Sequence, residues 1–200
     1  MAEPPSTGPV LVVVSGPPCT GKTTLARQIA AEFGLPFYYK DGLKETLCDA
    51  LGCGDIAWSR RLSGACMELL YHIARTELAV GRSLGIEANF RPDLAAQRYH
   101  DLCAMFACRP IEVHCTADAQ VTVQRFRRRG ASGARHPGHH DAEMAATVAK
   151  NIMSGVYGPL ELGGPLLRID TSDWSAVDSV GLLIQIADWL GESPTSQRGI

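Results

Sequence analysis

Val-Leu-Val-Val-Val-Ser-Gly-Pro-Pro-Cys-Thr-Gly-Lys-Thr-Thr-Leu, residues 10–25, is the stretch that decides the fold. Its first five residues form an unbroken apolar run, which is typical of a parallel strand buried on both faces. Gly16 ends the run, and after four intervening residues comes Gly-Lys-Thr at 21–23. Between a predicted strand and a predicted helix, this spacing indicates a loop whose backbone N–H groups wrap phosphate oxygens. A chance match in a glycine-rich turn is disfavoured by that context.

The polar groups of this loop have distinct predicted roles. The helix that begins near Lys22 directs its N-terminal dipole at the phosphates. The Lys22 ammonium group is predicted to reach the β- and γ-phosphate oxygens, and the Thr23 hydroxyl to ligate Mg²⁺. We therefore expect a nucleoside triphosphate, ATP or GTP, and Mg²⁺ to bind here. The predicted nucleotide contacts are Gly16, Pro17, Pro18, Cys19, Thr20, Gly21, Lys22, Thr23 and Thr24.

The composition fits one folded domain. The chain has 200 residues, of which 46% are hydrophobic and 20% charged, and this balance supports a substantial core. Its net charge of −2 gives no overall basic field for binding nucleic acid. No apolar run approaches a membrane span of about 18 residues, and the start of the chain lacks a signal-peptide pattern, so we expect a cytoplasmic protein. We expect a flexible N-terminus (1–9), a domain over 10–190 and a flexible tail (191–200); the oligomeric state stays open.

Strand-like apolar runs alternate with helical patterns along the chain. This alternation is typical of parallel strands joined by crossover helices. It predicts an α/β fold in which a parallel five-stranded sheet lies between two helical layers. The predicted strands cover residues 10–14, 35–40, 83–88, 109–115 and 166–170.

Two carboxylates stand at the ends of predicted strands. Asp41 follows the strand at 35–40, and Glu87 closes the strand at 83–88. In an open α/β sheet, ligands bind at the carboxyl ends of the strands. Glu87 is therefore predicted to support Mg²⁺ beside Thr23. Asp41 also suits the N-cap of the following helix, a role compatible with one at the site.

A basic, glycine-rich stretch at residues 125–142 is predicted to form a mobile lid. Arg125, Arg128 and Arg135, brought over bound ATP, would offset the charge on the transferring phosphoryl group. The competing interpretation is a solvated helix end, where cations suit the helix dipole.

Cysteine and histidine patterns give weaker signals. The seven cysteines form no C-x-x-C pair and are odd in number, so we expect reduced thiols. Cys19 lies at a helix N-terminus, which predicts a lowered pKa and a redox switch as a hypothesis. A metal site at the lid is disfavoured, because the spacing of its residues fits no standard zinc pattern and no cysteine is close in sequence. Those residues are His136, His139, His140 and Asp141.

The chain resembles the small P-loop phosphotransferases. This group includes chloramphenicol 3-O-phosphotransferase, zeta-toxin-like kinases, gluconate-kinase-like enzymes and the kinase domain of polynucleotide kinase. It is similar above all to bacterial "AAA domain" ATP-binding proteins. The resemblance implies a strand order of 2-3-1-4-5 and transfer of the γ-phosphoryl group of ATP to a hydroxyl, with Asp41 as the general base. The matching stretches are 16–24, 40–41, 87–90 and 135–139.

The resemblance leaves the acceptor open. The residues proposed to wall its pocket, Leu47, Trp58 and Leu62, favour a small, partly apolar molecule such as an antibiotic, a nucleoside or a sugar-like compound. A polynucleotide or nucleoside 5′-hydroxyl kinase is an alternative. It is disfavoured because Gly-Leu-Lys at 42–44 stands where such enzymes place an arginine after the aspartate. A non-kinase ATP-binding switch is a second alternative, but it would need a further helical domain.

Overall fold

The computed structural model describes residues 8–133 and 135–191. Within these residues, five strands alternate with seven α-helices, and no helix is both long and apolar enough to cross a membrane. The strands are β1 (Val10–Ser15), β2 (Phe37–Tyr39), β3 (Leu84–Glu87), β4 (Arg109–Thr116) and β5 (Leu166–Asp170). The helices are α1 (Lys22–Phe33), α2 (Lys40–Leu51), α3 (Ile56–Ala79), α4 (Pro92–Phe106), α5 (Ala119–Ala131), α6 (Asp141–Met153) and α7 (Ser179–Leu190), with short 3-10 turns at Pro137–His139 and Trp174–Ala176.

The predicted flexible ends, 1–9 and 191–200, lie outside the described residues except at 8, 9 and 191. Residues 8 and 9 run beside the start of β4. The backbone N–H of Arg109 donates to the Pro9 carbonyl at 2.8 Å, and its side chain donates to the Gly8 carbonyl at 3.4 Å. Residues 8 and 9, which precede the predicted domain boundary, therefore contact the sheet.

The sheet is entirely parallel, in the order β2-β3-β1-β4-β5, which confirms the predicted fold class and strand order. β1 occupies the centre, and its register pairs Val14 with Glu87 of β3 and Ser15 with His114 of β4. The loops that follow β1 and β3 therefore leave the sheet at the same edge.

Alternate residues of β1 enter different halves of the core, which gives the predicted three layers. Leu11 and Val13 pack with α3 and α4, whereas Val10, Val12 and Val14 pack with α1 and α7. All five side chains are almost completely buried. Burial on both faces explains why this strand is a continuous apolar run rather than an alternating one.

The second strand is shorter than predicted. β2 covers three residues at the sheet edge, and α2 begins at Lys40. Asp41 therefore lies in the first turn of α2 and not at a strand end, which corrects the predicted placement. An acidic side chain is favourable in a first helical turn because the helix dipole is positive there.

A buried carboxylate anchors the segment before β5. Glu112 of β4 is 2% exposed, and its oxygens accept hydrogen bonds from the backbone N–H groups of Leu160 and Glu161 at 2.9–3.0 Å. The Ser15 hydroxyl donates to the same carboxylate at 2.6 Å. These bonds fix the loop between α6 and β5 against the centre of the sheet.

Candidate functional site

The loop between β1 and α1 forms a compact cradle at the end of the sheet. The Lys22 ammonium group donates to the Pro17 carbonyl at 2.7 Å, and the Thr20 hydroxyl donates to the same oxygen at 2.8 Å. Gly21 has a φ of +74°, which favours glycine, and its Cα packs against the ring of Trp174. Lys22 and the N-terminus of the 12-residue helix α1 line one cleft. This combination suits a chain of phosphate groups.

Thr23 and Glu87 meet across the base of this cleft. The Thr23 hydroxyl donates to Oε2 of Glu87 at 2.8 Å, as the shared register of β1 and β3 permits. Glu87 is 6% exposed, and burial raises its pKa although Lys22 opposes the shift. A hydroxyl and a carboxylate are oxygen ligands of the kind that Mg²⁺ prefers. The two residues therefore fit a magnesium ion.

Asp41 lies across the cleft among cations. Its carboxylate accepts from the Lys40 ammonium group at 3.2 Å and from the Arg135 guanidinium group. Burial alone would raise the pKa of Asp41, but Lys40 and Arg135 outweigh burial and hold the pKa far below its ordinary range. The carboxylate is therefore anionic at any physiological pH.

The lid segment, residues 135–141, packs down on α2 and α3. Arg135 bridges Asp41 and Glu45, with Nη1 3.1 Å from Oε1 of Glu45. His139 lies 2.9 Å from the same Glu45 oxygen, and burial with the nearby cations lowers the pKa of His139 to about 3. The Gly138 carbonyl accepts from the Ser59 hydroxyl at 2.8 Å. Arg135 thus contacts Asp41, across the cleft from the loop between β1 and α1.

Helix α5 brings two arginines to the cleft, and only one of them is among those predicted. Arg125 donates to the Ser172 carbonyl at 2.9 Å, and Arg129 donates to Asp141 at 2.9 Å. Both line the cleft, whereas Arg128 is exposed on the outside of the helix. The prediction for Arg128 therefore needs correction.

The helical period explains why Arg125 and Arg129 line the cleft and Arg128 does not. Thr122 and Phe126 are the buried residues of α5. Arg125 and Arg129 continue their stripe at the spacing i, i+3, i+4, i+7, which places four side chains on one helix face. This spacing is the signal that could have identified Arg129 from the sequence.

Cys19 does not have the predicted electrostatics. It adopts a left-handed conformation with φ of 62° inside the phosphate loop. Burial raises the pKa of its thiol, and the opposing effects of Arg129 and Lys22 are smaller. The expectation of a lowered pKa at the helix N-terminus is therefore wrong, because desolvation of the thiolate dominates.

The side of the cleft around Asp41 is polar. The cleft has a volume of about 530 Å³. Lys44, whose pKa is lowered by burial and by Lys40, donates to the Ser59 hydroxyl at 2.7 Å. Of the predicted walls, Leu62 belongs to the buried core and the Trp58 indole donates to the Gly52 carbonyl. Polar groups line this side instead: Lys40, Asp41, Lys44, Ser59, Arg60 and Ser63.

A second cavity of about 450 Å³ adjoins the cleft and shares Lys40, Ser63 and Asn89 with it. Its remaining walls are mixed, with Met67, Leu94 and two tyrosines beside an arginine–glutamate pair. One of them, Tyr99, is 3% exposed, and its hydroxyl has no hydrogen-bond partner among the described residues. Together, the two cavities form a polar cleft beside Asp41 and a partly apolar extension of it.

A parallel sheet in this order, with a phosphate cradle after its first strand, defines the P-loop kinase fold. Residues 11–150 match the model of a family described as "AAA domain", and the chain belongs to this family. No curated protein matches the chain.

Solved structures agree with the fold. A "putative kinase" from Chloroflexus aurantiacus J-10-fl is 40% identical and superposes with a TM-score of 0.83, covering 90% of this chain and 98% of its own. A sugar kinase from Janibacter sp. HTCC2649 is 19% identical (TM-score 0.58; 94% and 97% covered). A gluconokinase from Sinorhizobium meliloti 1021 is 15% identical (TM-score 0.54; 91% and 95% covered). The last two similarities concern the fold alone.

Proposed function

We propose that this protein is an ATP-dependent kinase that transfers the γ-phosphoryl group to a hydroxyl of a small molecule. One observation carries the proposal: a single cleft holds the Thr23–Glu87 pair on its nucleotide side and an anionic Asp41 on the opposite side. The Thr23–Glu87 pair suits a magnesium ion, and the Asp41 carboxylate suits the hydroxyl group of an acceptor. The name of the 40% identical relative supports the same class of reaction.

The nucleotide side supplies positioning and positive charge. Lys22 and the N-terminus of α1 would bind the phosphates of ATP, and Thr23 with Glu87 would hold Mg²⁺ directly or through water. Mg²⁺, when bound, offsets the charge of the β- and γ-phosphates. Arg125 and Arg129 line the same cleft, where guanidinium groups stabilise charge that spreads over the transferring phosphoryl group.

The acceptor side supplies orientation and a proton acceptor. Asp41 would accept a hydrogen bond from the acceptor hydroxyl and then its proton. Its low pKa makes it a weak base, which suits a loose transition state in which little bond formation precedes loss of the proton. Lys40 and Arg135 fix the carboxylate in place.

The two cavities favour an acceptor with a hydroxyl-rich end and a less polar body. Lys44, Ser59 and Ser63 offer hydrogen bonds near Asp41, and the adjoining cavity offers Met67 and Tyr99. Sugar-like compounds, nucleosides and antibiotics have this character. A 5′-hydroxyl oligonucleotide is the second candidate, because Lys40, Lys44 and exposed Arg60 give this side of the cleft positive charge.

The direct test is transfer of label from γ-labelled ATP with Mg²⁺ to a panel of acceptors. The panel contains sugars and amino sugars, nucleosides, chloramphenicol-like and aminoglycoside antibiotics, and 5′-hydroxyl oligonucleotides. We expect label on one acceptor class and its loss in Asp41→Asn, which keeps the shape but removes the charge. Asp101→Asn is the matched control, since Asp101 is exposed on α4.

Two results would contradict the proposal. Slow ATP hydrolysis with no labelled acceptor, unchanged in Asp41→Asn, would remove Asp41 as the base and favour an ATP-binding switch. Label on oligonucleotides alone, with binding that weakens steeply with salt, would select the second candidate.

A further inference from the structure

A cluster of two thiols and an imidazole joins the lid to α2, away from the cleft described above. It consists of Cys48, near the end of α2, Cys53, in the loop after α2, and His136, at the start of the lid's 3-10 turn. One ligand atom from each residue lies within 4.8 Å of the other two. We call these three residues the Cys48–His136 cluster.

The cluster brings together parts of the chain that the sequence keeps apart. Cys48 is buried beneath the lid, and Gly138 passes directly over it. A methyl group at Gly138 would overlap Sγ of Cys48 and lie 3.2 Å from Nδ1 of His136. The thiol and this ring nitrogen therefore approach the same point, and glycine at 138 permits that approach.

The imidazole is oriented for ligation. Nε2 of His136 lies 3.0 Å from Oδ1 of Asp49, so a neutral ring donates its Nε2–H to the carboxylate. Nδ1 then carries the lone pair, which accepts a hydrogen bond from the Gly138 N–H at 3.2 Å and would exchange that bond for a metal. A carboxylate bonded to the second ring nitrogen is the usual support of a metal-binding histidine.

We propose that the Cys48–His136 cluster binds Zn²⁺. Two thiolates and one imidazole form a preferred zinc donor set, and a water molecule would complete the tetrahedron. On one tetrahedral zinc ion two sulfurs lie about 3.8 Å apart, and a sulfur and a nitrogen about 3.5 Å apart. The ligand atoms, all within 4.8 Å of one another, therefore need to close by at most about 1.3 Å. Both cysteines would bind zinc as thiolates.

Zinc at this place would hold the lid on α2. The same helix carries Asp41 and Glu45, which Arg135 of the lid already bridges. The metal would therefore stabilise the packed arrangement of residues 135–140 over the cleft. This inference stands apart from the proposed kinase activity, because zinc binding is measured without ATP.

The test uses the reduced full chain, freed of metal with a chelator. We expect one Zn²⁺ per chain in competition with a chromophoric chelator, and a thiolate-to-cobalt charge-transfer band when Co²⁺ is added instead. Cys53→Ser and His136→Asn should each weaken zinc affinity by at least 10- to 100-fold. His140→Asn is the matched control, because it removes another lid histidine outside the cluster and should bind zinc like the unchanged protein.

A second measurement follows the lid itself. Zinc should slow amide hydrogen exchange across residues 135–140 in the unchanged protein and not in Cys53→Ser or His136→Asn. Circular dichroism without metal shows whether those variants are folded. Absence of zinc binding by the reduced protein, equal affinity in the folded variants, or a cobalt spectrum without the thiolate band would each overturn the proposal.

Discussion

At the scale of single residues, neighbours in sequence have different surroundings. Arg128 is exposed, whereas Arg129 lines the cleft and pairs with Asp141, because one residue rotates a helical position by about 100°. A motif made of a run of arginines cannot by itself say which of them faces a substrate. The buried positions Thr122 and Phe126 supply that information.

This difference gives a prediction for turnover. Arg129→Ala should lower kcat of the proposed transfer by about 10²- to 10³-fold, since it removes a guanidinium group that lines the cleft proposed to hold the phosphates. Arg128→Ala should have a much smaller effect. The labelled-ATP assay measures both, and the thermal midpoint of each variant shows that the fold is intact. Equal losses would mean that general positive charge, and not position, matters.

The site was partly predictable residue by residue. The Thr23–Glu87 pair follows from the phosphate-loop motif and from the way parallel strands align their carboxyl ends. The contact between Arg135 and Asp41 does not follow, because it depends on how a loop folds back over a helix more than 90 residues earlier. The raised pKa of Cys19 was missed because burial is not visible in a local motif.

At the scale of elements, Glu112 ties β4 to the loop before β5. Glu112→Ala would leave the buried N–H group of Leu160, the partly buried N–H group of Glu161 and the buried Ser15 hydroxyl without this acceptor. We expect the free energy of unfolding to fall by about 3 kcal/mol, and by less in Glu112→Gln, which keeps an acceptor oxygen.

Urea denaturation measures these changes. Glu143→Ala on α6 is the control, because Glu143 is exposed and its contact with His140 is 3.7 Å long. A loss in Glu112→Ala no larger than in Glu143→Ala would show that the loop finds other hydrogen-bond partners.

Strands and helices could be predicted from the sequence where the hydrophobic pattern is long. β1 and the helix after it are defined by a continuous apolar run and by the glycines of the loop. The end of β2 is harder to predict, because a three-residue edge strand is too short to show a periodic pattern. The predicted strand ran one residue past the observed end of β2 at Tyr39, so the prediction placed Asp41 at a strand end instead of in the first turn of α2.

At the scale of the whole molecule, a buried histidine couples stability to pH. His114 is 4% exposed, its Nδ1 lies 2.8 Å from the Ser15 hydroxyl, and burial with Arg168 and Lys22 nearby lowers its pKa to about 4. In the unfolded chain the ordinary pKa is 6.5, so the unfolded chain binds more protons between pH 6.5 and 4. The contribution of neutral, buried His114 to the free energy of unfolding is therefore fully present above pH 6.5, and it is lost as the pH falls towards 4.

The free energy of unfolding should fall by about 1–2 kcal/mol between pH 7 and pH 5 on account of this residue. Urea denaturation at both pH values, in the unchanged protein and in His114→Gln, isolates the pH dependence that is due to His114. The other titrating groups are the same in the two proteins. His72→Gln, at an exposed position of α3, should leave the pH dependence unchanged. The same pH dependence in His114→Gln would mean that the histidine titrates alike in the folded and unfolded chains.

The packing of Trp174 on Gly21 has a practical consequence. Trp174 belongs to the turn after β5 and is still 40% exposed, so its indole borders both the phosphate-binding loop and solvent. The other two tryptophans lie elsewhere, Trp58 in the first turn of α3 and Trp189 beside Arg109 at the end of α7. We therefore expect the emission of Trp174 to change when a nucleotide enters the loop, and a stopped-flow experiment would follow that change without any attached dye.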